Sequence, residues 1–550
     1  MSRGIRWNCH DFAFHARGKL GGPVVGLSII KLDIRRQIVW IGRRFCGLDG
    51  LANCQAKRHR LAGTDCLKTG IYNTAGGILR LTVSVATIPL LINLIGIEEY
   101  GLWALASAIV GVLGLMEGGL SVSTTVFASR DRAGGRPEAM AETLSITGGA
   151  MLCLATAAAL LLWTGSEWIA SFFDKLSPAQ RAAAATAIKY SSVVVWMRFL
   201  QQVLVGIEQA FERYGIINIV SSAQQMAGNL GLLAVAFYGG RVAAFMQWTA
   251  LVGAVALGVH ALIVRRLMGP GLRPRPWRKE RVLEIMRYSG MAWVTTLGSA
   301  LFAQCDRLII GRLLGSELLG IYAAVSGVAL QINSLSGLSA QPLVPFVASA
   351  KEAGRLRQPE VRERIREAFE LNAVIALGLG LGLFLATPWI IQILIPSHPE
   401  AQPFFMFSAT VYSLYSINGT GYHLLHGLRA MRECMVIQLL SGTLALLLVA
   451  LGAYMGGLMG AVAGCTGYLG VWLLTVAAAR HLELPFRVWR EWLRPYLLVF
   501  APCLLAAYWL PATLPIRVIL TAFGLGWLGF IFFRRHRAYL SVWFGKFSKP

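Results

Sequence analysis

The stretch LIGIEEYGLWALAS (Leu94–Ser107) returns 219 residues later as LLGSELLGIYAAVS (Leu313–Ser326). The identities pair Leu94 with Leu313, Gly96 with Gly315, Glu98 with Glu317, Gly101 with Gly320, Ala104 with Ala323 and Ser107 with Ser326. The apolar stretches that follow also end alike, in ASRDRAGGRPE (Ala128–Glu138) and ASAKEAGRLRQPE (Ala348–Glu360). Two landmarks in the same order mark an internal repeat. The interval holds six apolar stretches of span length, an even number, so both copies run the same way through a bilayer. That is the pattern of parallel repeats related by an axis along the membrane normal. The expected fold is an all-α integral membrane protein, with two parallel six-helix repeats around a central cavity and two extra helices, the layout of an alternating-access carrier.

Composition agrees. The 550 residues are 56% hydrophobic and only 14% charged, where a soluble domain carries about 25% charged residues. With a mean hydropathy of +0.58, the chain reads as polytopic and not as a soluble enzyme. Apolar segments fall near 71–95, 100–128, 139–164, 181–207, 215–238 and 241–264. A second set falls near 288–313, 317–346, 367–394, 403–428, 433–455 and 458–479, and a last pair near 494–510 and 514–533. These are fourteen candidate transmembrane helices, each near the ~20 residues a crossing needs.

The formal charge is +24, and its placement sets the orientation. Of 51 Lys and Arg, 42 fall in even-numbered loops and the terminal regions, five on the opposite side and four inside the spans. That asymmetry predicts both termini in the cytoplasm. The same pattern gives the basic residues a topological reading in place of nucleic-acid binding. Loop 6 (Arg265–Arg287), with eight bases beside Trp277, Leu283 and Met286, reads as an interfacial linker resting on anionic membrane lipids.

The expected organisation is a basic arm (1–70), an N-lobe (71–264), the basic linker (265–287), a C-lobe (288–480), and two more spans with a basic tail (481–550). The arm holds 13 Lys and Arg, four Asp, no Glu and four of the nine cysteines. It reads either as a basic cytoplasmic arm on anionic lipid or as sequence upstream of the true start, and residues 1–60 are expected to be dispensable. The cysteines show neither a disulfide framework nor zinc-ligand spacing.

Charges at membrane depth are costly and mark candidate sites. Arg80 lies ~14 Å into span 1 at 1.5 Å per residue. In span 4, Lys189 and Arg198 are nine residues apart and point to opposite faces. Arg198 shares its face with Ser191, Gln202 and Gln209 and is the cavity candidate, while Lys189 snorkels. Span 5 carries a stripe of Asn218, Ser222, Gln225 and Asn229, suited equally to sugar hydroxyls and to gluing helices together. Arg307 is a further substrate candidate. Asp306 either pairs with a neighbouring base or carries a coupling proton, and Glu117, near Ser121, either neutralises an arginine or lines the cavity. His423 and His426 share a face without enough ligands for a metal. No cofactor is expected.

At LIGIEEYGLWALASAIVGVLGLMEGGLS (Leu94–Ser121) and QCDRLIIGRLLGSELLGIYAAVSG (Gln304–Gly327), over roughly 71–480, the chain resembles the polysaccharide exporters and O-antigen flippases of the multidrug/oligosaccharidyl-lipid/polysaccharide flippase superfamily. The resemblance implies translocation of an undecaprenyl-pyrophosphate-linked oligosaccharide, an anionic substrate answered by Arg80, Arg198 and Arg307. It also implies work alongside a polysaccharide polymerase and glycosyltransferases. A cation-coupled multidrug antiporter of the same superfamily is the alternative, disfavoured because the four embedded bases outnumber the clear embedded acids. A membrane polymerase or glycosyltransferase fits less well, because the longest outer loop is about 15 residues and no GxxxxGK[ST] or HExxH occurs.

Overall fold

A computed structural model describes residues 83–117, 119–269, 277–509 and 513–536. The expected arm (1–70) and Arg80 lie outside the described residues. The described chain is helical throughout its regular structure, with no strand among the described residues.

The first half runs α1 (Val83–Ile95), α2 (Ile97–Leu113), a 3₁₀ turn (Gly114–Glu117), α3 (Leu120–Ala133), α4 (Pro137–Ser171), α5 (Pro178–Ala210), α6 (Tyr214–Phe237) and α7 (Val242–Met268). The second half begins with α8 (Lys279–Leu314), α9 (Ser316–Ala329), α10 (Gln331–Gly337), α11 (Leu343–Glu352), α12 (Pro359–Leu385) and α13 (Thr387–Leu394). It continues through α14 (Gln402–Ile417), α15 (Gly419–Gly427), α16 (Met431–Gly464), a 3₁₀ stretch (Cys465–Val471) and α17 (Trp472–His481). Last come α18 (Phe486–Trp509) and α19 (Leu514–Arg535).

Local chemistry sets the boundaries. Ser177 caps α5 by accepting from the Gln180 N–H at 3.2 Å while the Gln180 side chain accepts from the Ser177 N–H at 3.0 Å, and Pro178 fills the first turn, where its missing N–H costs nothing. Pro137 and Pro359 open α4 and α12 in the same way. Gly456 and Gly457 (φ +58°) turn α16 back on itself, so the expected span 433–455 and the start of the span 458–479 form a hairpin whose second arm continues through the 3₁₀ stretch into α17. The arms of that hairpin touch so closely that a Cβ on Gly452 would lie 2.0 Å from the Gly460 carbonyl oxygen.

Among the described residues, eight helical stretches are long and apolar enough to cross a membrane, including the hairpin-containing Met431–His481. Other expected spans fall short for visible reasons. Breaks interrupt α2–α3 and α14–α15, the amide stripe lowers the hydropathy of α6, and charges crowd the first turns of α8. Large aromatic side chains stay exposed where α4, α6 and α18 end and at the α16 turn: Trp168, Tyr238, Trp509 and Tyr454. All four ends lie on the side opposite the basic loops, as expected for an aromatic belt at a membrane interface. The chain is a multi-pass membrane protein.

Candidate functional site

The repeated motif lies where the two halves meet. Gly96 (φ +82°) and Gly315 (φ +91°) each start the next helix, α2 and α9, in a conformation that favours glycine. The two helices then cross in van der Waals contact. A Cβ on Gly101 would lie 1.9 Å from the Ser316 carbonyl oxygen, and one on Gly320 2.3 Å from that of Ile97. The acidic residues beside the glycine are structural. Glu99 accepts from the Val242 N–H at the start of α7 at 2.8 Å, and Glu98 accepts from the Gln180 side chain at 2.7 Å.

On the basic side, α3 and α4 are tied to the start of α8. Ser123 and Ser289 hydroxyls lie 2.6 Å apart, and the buried Asp131 accepts from Arg281 (2.5 Å), Thr143 (2.9 Å) and Arg136 (3.2 Å). Buried Glu142 accepts from Arg278 at 2.5 Å, and Arg130 donates to Glu284 at 2.8 Å. That hydrogen bond, with the positive charge of Arg130, holds the Glu284 carboxyl below its usual range despite partial desolvation. Two of the linker bases read as lipid-facing, Arg278 and Arg281, are thus engaged with carboxylates.

Between these contacts lie the embedded charges. Arg198 is exposed on α5, and a Cβ on Gly114 would lie 3.9 Å from its guanidinium carbon. It acts electrostatically on Glu117, which accepts from Ser121 at 2.6 Å. Arg307 on α8 is half-buried and within electrostatic reach of Tyr100 and Tyr412. Neither arginine forms an ion pair among the described residues. Lys189 sits 4.9 Å over the Trp163 ring, on the α4 side of α5.

Asp306 is buried, and its partners are phenols. Tyr322 and Tyr468 donate to Oδ2 at 2.5 and 3.2 Å, and the Arg307 backbone N–H donates to Oδ1 at 2.8 Å. The expected pairing with a base does not occur among the described residues, because the tyrosines of α9 and the 3₁₀ stretch occupy the carboxylate. Beside the amide stripe, Gln201 and Gln224 bond each other reciprocally at 2.8 and 3.3 Å, joining α5 to α6. Gln225 is exposed, Gln202 and Asn218 are half-buried, and the Asn229 side-chain N–H is buried without a partner.

Three arrangements were not anticipated from sequence. Glu208 and His260 form a fully buried pair at 2.8 Å, near the ends of α5 and α7 where a charge reads as interfacial. Glu370, also buried, accepts from Arg366 and Arg535 at 2.9 Å, Tyr496 at 2.5 Å and His536 at 3.1 Å, and so fastens α18 and α19 to α12. Glu363, Glu367 and His536 approach one another closely enough for a metal ion, but Arg366, Arg364 and Glu370 already engage them. The third arrangement is a polar cavity of about 310 Å³ among α10, α14–α17 and the 3₁₀ stretch, with His423 on its wall. Separately, an apolar groove of about 540 Å³ runs among α1, α9, α10, α12 and α19, lined by Val85, Val328, Leu335, Val374 and Leu525.

Solved structures share this fold. A lipid II flippase, MurJ, in an inward closed conformation superposes with a TM-score of 0.65 at 11% identity, covering 84% of this chain and 99% of that one. An inward-facing multidrug resistance transporter of the MATE family gives 0.60 at 12% identity, over 73% and 94%. Among curated sequences, a Shigella flexneri protein named for O-antigen transport is 21% identical over 292 residues, 52% of this chain and 67% of that protein. The Bacillus subtilis uncharacterized membrane protein EpsK is 24% identical over 345 residues, 61% of this chain and 67% of its own length. The profile of one sequence family matches residues 90–401, more than half the chain, and places it in the polysaccharide biosynthesis protein family.

Proposed function

We propose that this protein is a flippase that moves an undecaprenyl-pyrophosphate-linked oligosaccharide from the cytoplasmic to the outer leaflet by alternating access. The observation that carries the reading is Arg198 on α5 and Arg307 on α8, guanidinium groups within apolar helices that form no ion pair among the described residues. An unpaired charge at this depth costs several kcal/mol, a cost a pyrophosphate would offset on binding. Arg80, Gln202, Asn218, Gln225 and Asn229 complete the candidate contacts. The apolar groove beside α1 suits the lipid tail, which must remain in the bilayer while its headgroup crosses.

In this reading the N-lobe (71–264) and C-lobe (288–480) rock about the linker (265–287), with both termini in the cytoplasm. The Gly101–Gly320 crossing is the outer contact that must part to release substrate. Glu117 and Asp306 are the candidates for ion coupling. Glycosyltransferases would supply the substrate and a polymerase would consume it. Complementation of a flippase-null strain, with membrane abundance measured alongside, tests the reading. Export restored by the wild-type chain and lost in Arg198→Ala at equal abundance supports it. Failure of the wild-type chain to restore any lipid-linked oligosaccharide export, together with drug efflux by the same membranes, would favour the multidrug antiporter.

A further inference from the structure

The cavity among α10, α14–α17 and the 3₁₀ stretch is unusual in what lines it. Asn333, Ser334 and Gln341 enter from α10 and the turn after it, His423 from α15 and Gln438 from α16. None of these five side chains makes a hydrogen bond among the described residues. Gln438 is only 9% exposed and lines the space with its amide unbonded to any described residue. Five polar side chains that border one space and bond to nothing else among the described residues offer a ready set of donors and acceptors to a ligand.

The chemistry of the lining narrows what that is. No Asp, Glu, Lys or Arg lines the cavity. The amides and the hydroxyl offer donors and acceptors together, as vicinal sugar hydroxyls require. Tyr415 and Tyr422 add ring surface for the C–H face of a pyranose. The volume of about 310 Å³ sits at the small end of the roughly 300–1,000 Å³ of ligand pockets. Gln438 lies seven residues into α16, ~10 Å from the helix start on the basic side at 1.5 Å per residue.

We propose that this cavity is a subsite for an uncharged sugar residue of the substrate headgroup. It is separate from the arginines that meet the pyrophosphate, and it selects neutral pyranoses over uronic acids. The inference rests on the flippase reading. Phosphate recognition then lies with α5 and α8, while sugar recognition lies with α10 and α14–α17.

The test uses the full chain in lipid nanodiscs and three probes: a short prenyl pyrophosphate bearing one N-acetylhexosamine, the same compound bearing a hexuronic acid, and the bare prenyl pyrophosphate. Each net hydrogen bond is worth about 2- to 10-fold in affinity. The wild type is expected to bind the N-acetylhexosamine probe about tenfold tighter than the other two. Gln438→Leu and His423→Phe should erase that advantage while leaving bare-compound affinity unchanged. Gln341→Ala, at an exposed position, should narrow it even if a buried variant folds poorly. An advantage that survives all three substitutions overturns the subsite and leaves the flippase reading intact. Equal affinity for the neutral and acidic sugars overturns the selectivity. Binding of no probe by the wild type overturns the flippase reading and the subsite with it.

Discussion

Gly101 and Gly320 each pack on the first carbonyl of the other's helix, Ser316 and Ile97, and these partners are themselves 219 residues apart. The contact is therefore its own image under the internal repeat. It gives a physical reason for the identity that revealed the repeat, since at 1.9 and 2.3 Å no side chain fits between backbone and backbone. Gly101→Ala and Gly320→Ala should each destabilise the protein by about 1–3 kcal/mol, the usual range for overpacking. Gly327→Ala, whose Cβ would meet only the Ile88 side chain at 3.6 Å, should be silent. Thermal unfolding in detergent measures all three, and equal melting temperatures for Gly101→Ala and the wild type would contradict the crossing.

The basic-side tie predicts an asymmetry between single and paired substitutions. Arg281 is 11% exposed and Asp131 1%, so Arg281→Ala leaves a carboxylate buried with only Thr143 and Arg136. Removing one partner of a buried pair costs about 3–5 kcal/mol, and Arg281→Met combined with Asp131→Leu should recover much of that loss. Detergent-solubilised melting curves for the singles and the double decide it.

A pH effect follows from Glu284. Its carboxyl titrates below the ordinary 4.5 because Arg130 donates to it. A lowered carboxyl pKa adds stability that is present above the ordinary value and is lost as pH falls through the lowered one. The pair is half-exposed, so its worth is at most ~1 kcal/mol. Wild type should be slightly more stable than Glu284→Gln at neutral pH, and the difference should begin to shrink as pH falls below the ordinary 4.5 and vanish once pH has passed below the lowered value. A difference that grows toward acid would contradict the assignment.

The Glu208–His260 pair, with Glu208 Oε2 and His260 Nε2 unbonded among the described residues, gives a further contrast. His260→Ala should lower membrane abundance sharply, since it strands a buried carboxylate. Glu208→Gln, which keeps an acceptor for the ring, should be tolerated better. Immunoblots of membranes at matched expression distinguish the two.

Much of the architecture was legible in the sequence because hydropathy, loop charge and the repeat are all properties of the chain order. Helical periodicity sends Lys189 and Arg198 to opposite faces, and in the structure Lys189 lies over Trp163 while Arg198 approaches Gly114. Long-range partners were not legible. Asp306 looked ready for a base, yet Tyr322 and Tyr468 reach it from 16 and 162 residues away. Glu370 and Arg535 are 165 residues apart, and no periodicity links them. The amide stripe of α6 reads equally as substrate contact and as glue, and the bond that does join α6 to α5 comes from Gln224, beside the stripe, to Gln201.

The central claim is that Arg198 meets the substrate's negative charge, and complementation of a flippase-null strain tests it most directly. Arg198→Ala should lose export while reaching the membrane in normal amounts. Arg198→Lys should retain part of it, a point charge replacing a bidentate fork. Lys189→Ala should export nearly normally, because its ammonium faces Trp163 instead. Wild-type export from Arg198→Ala at equal abundance would contradict the account.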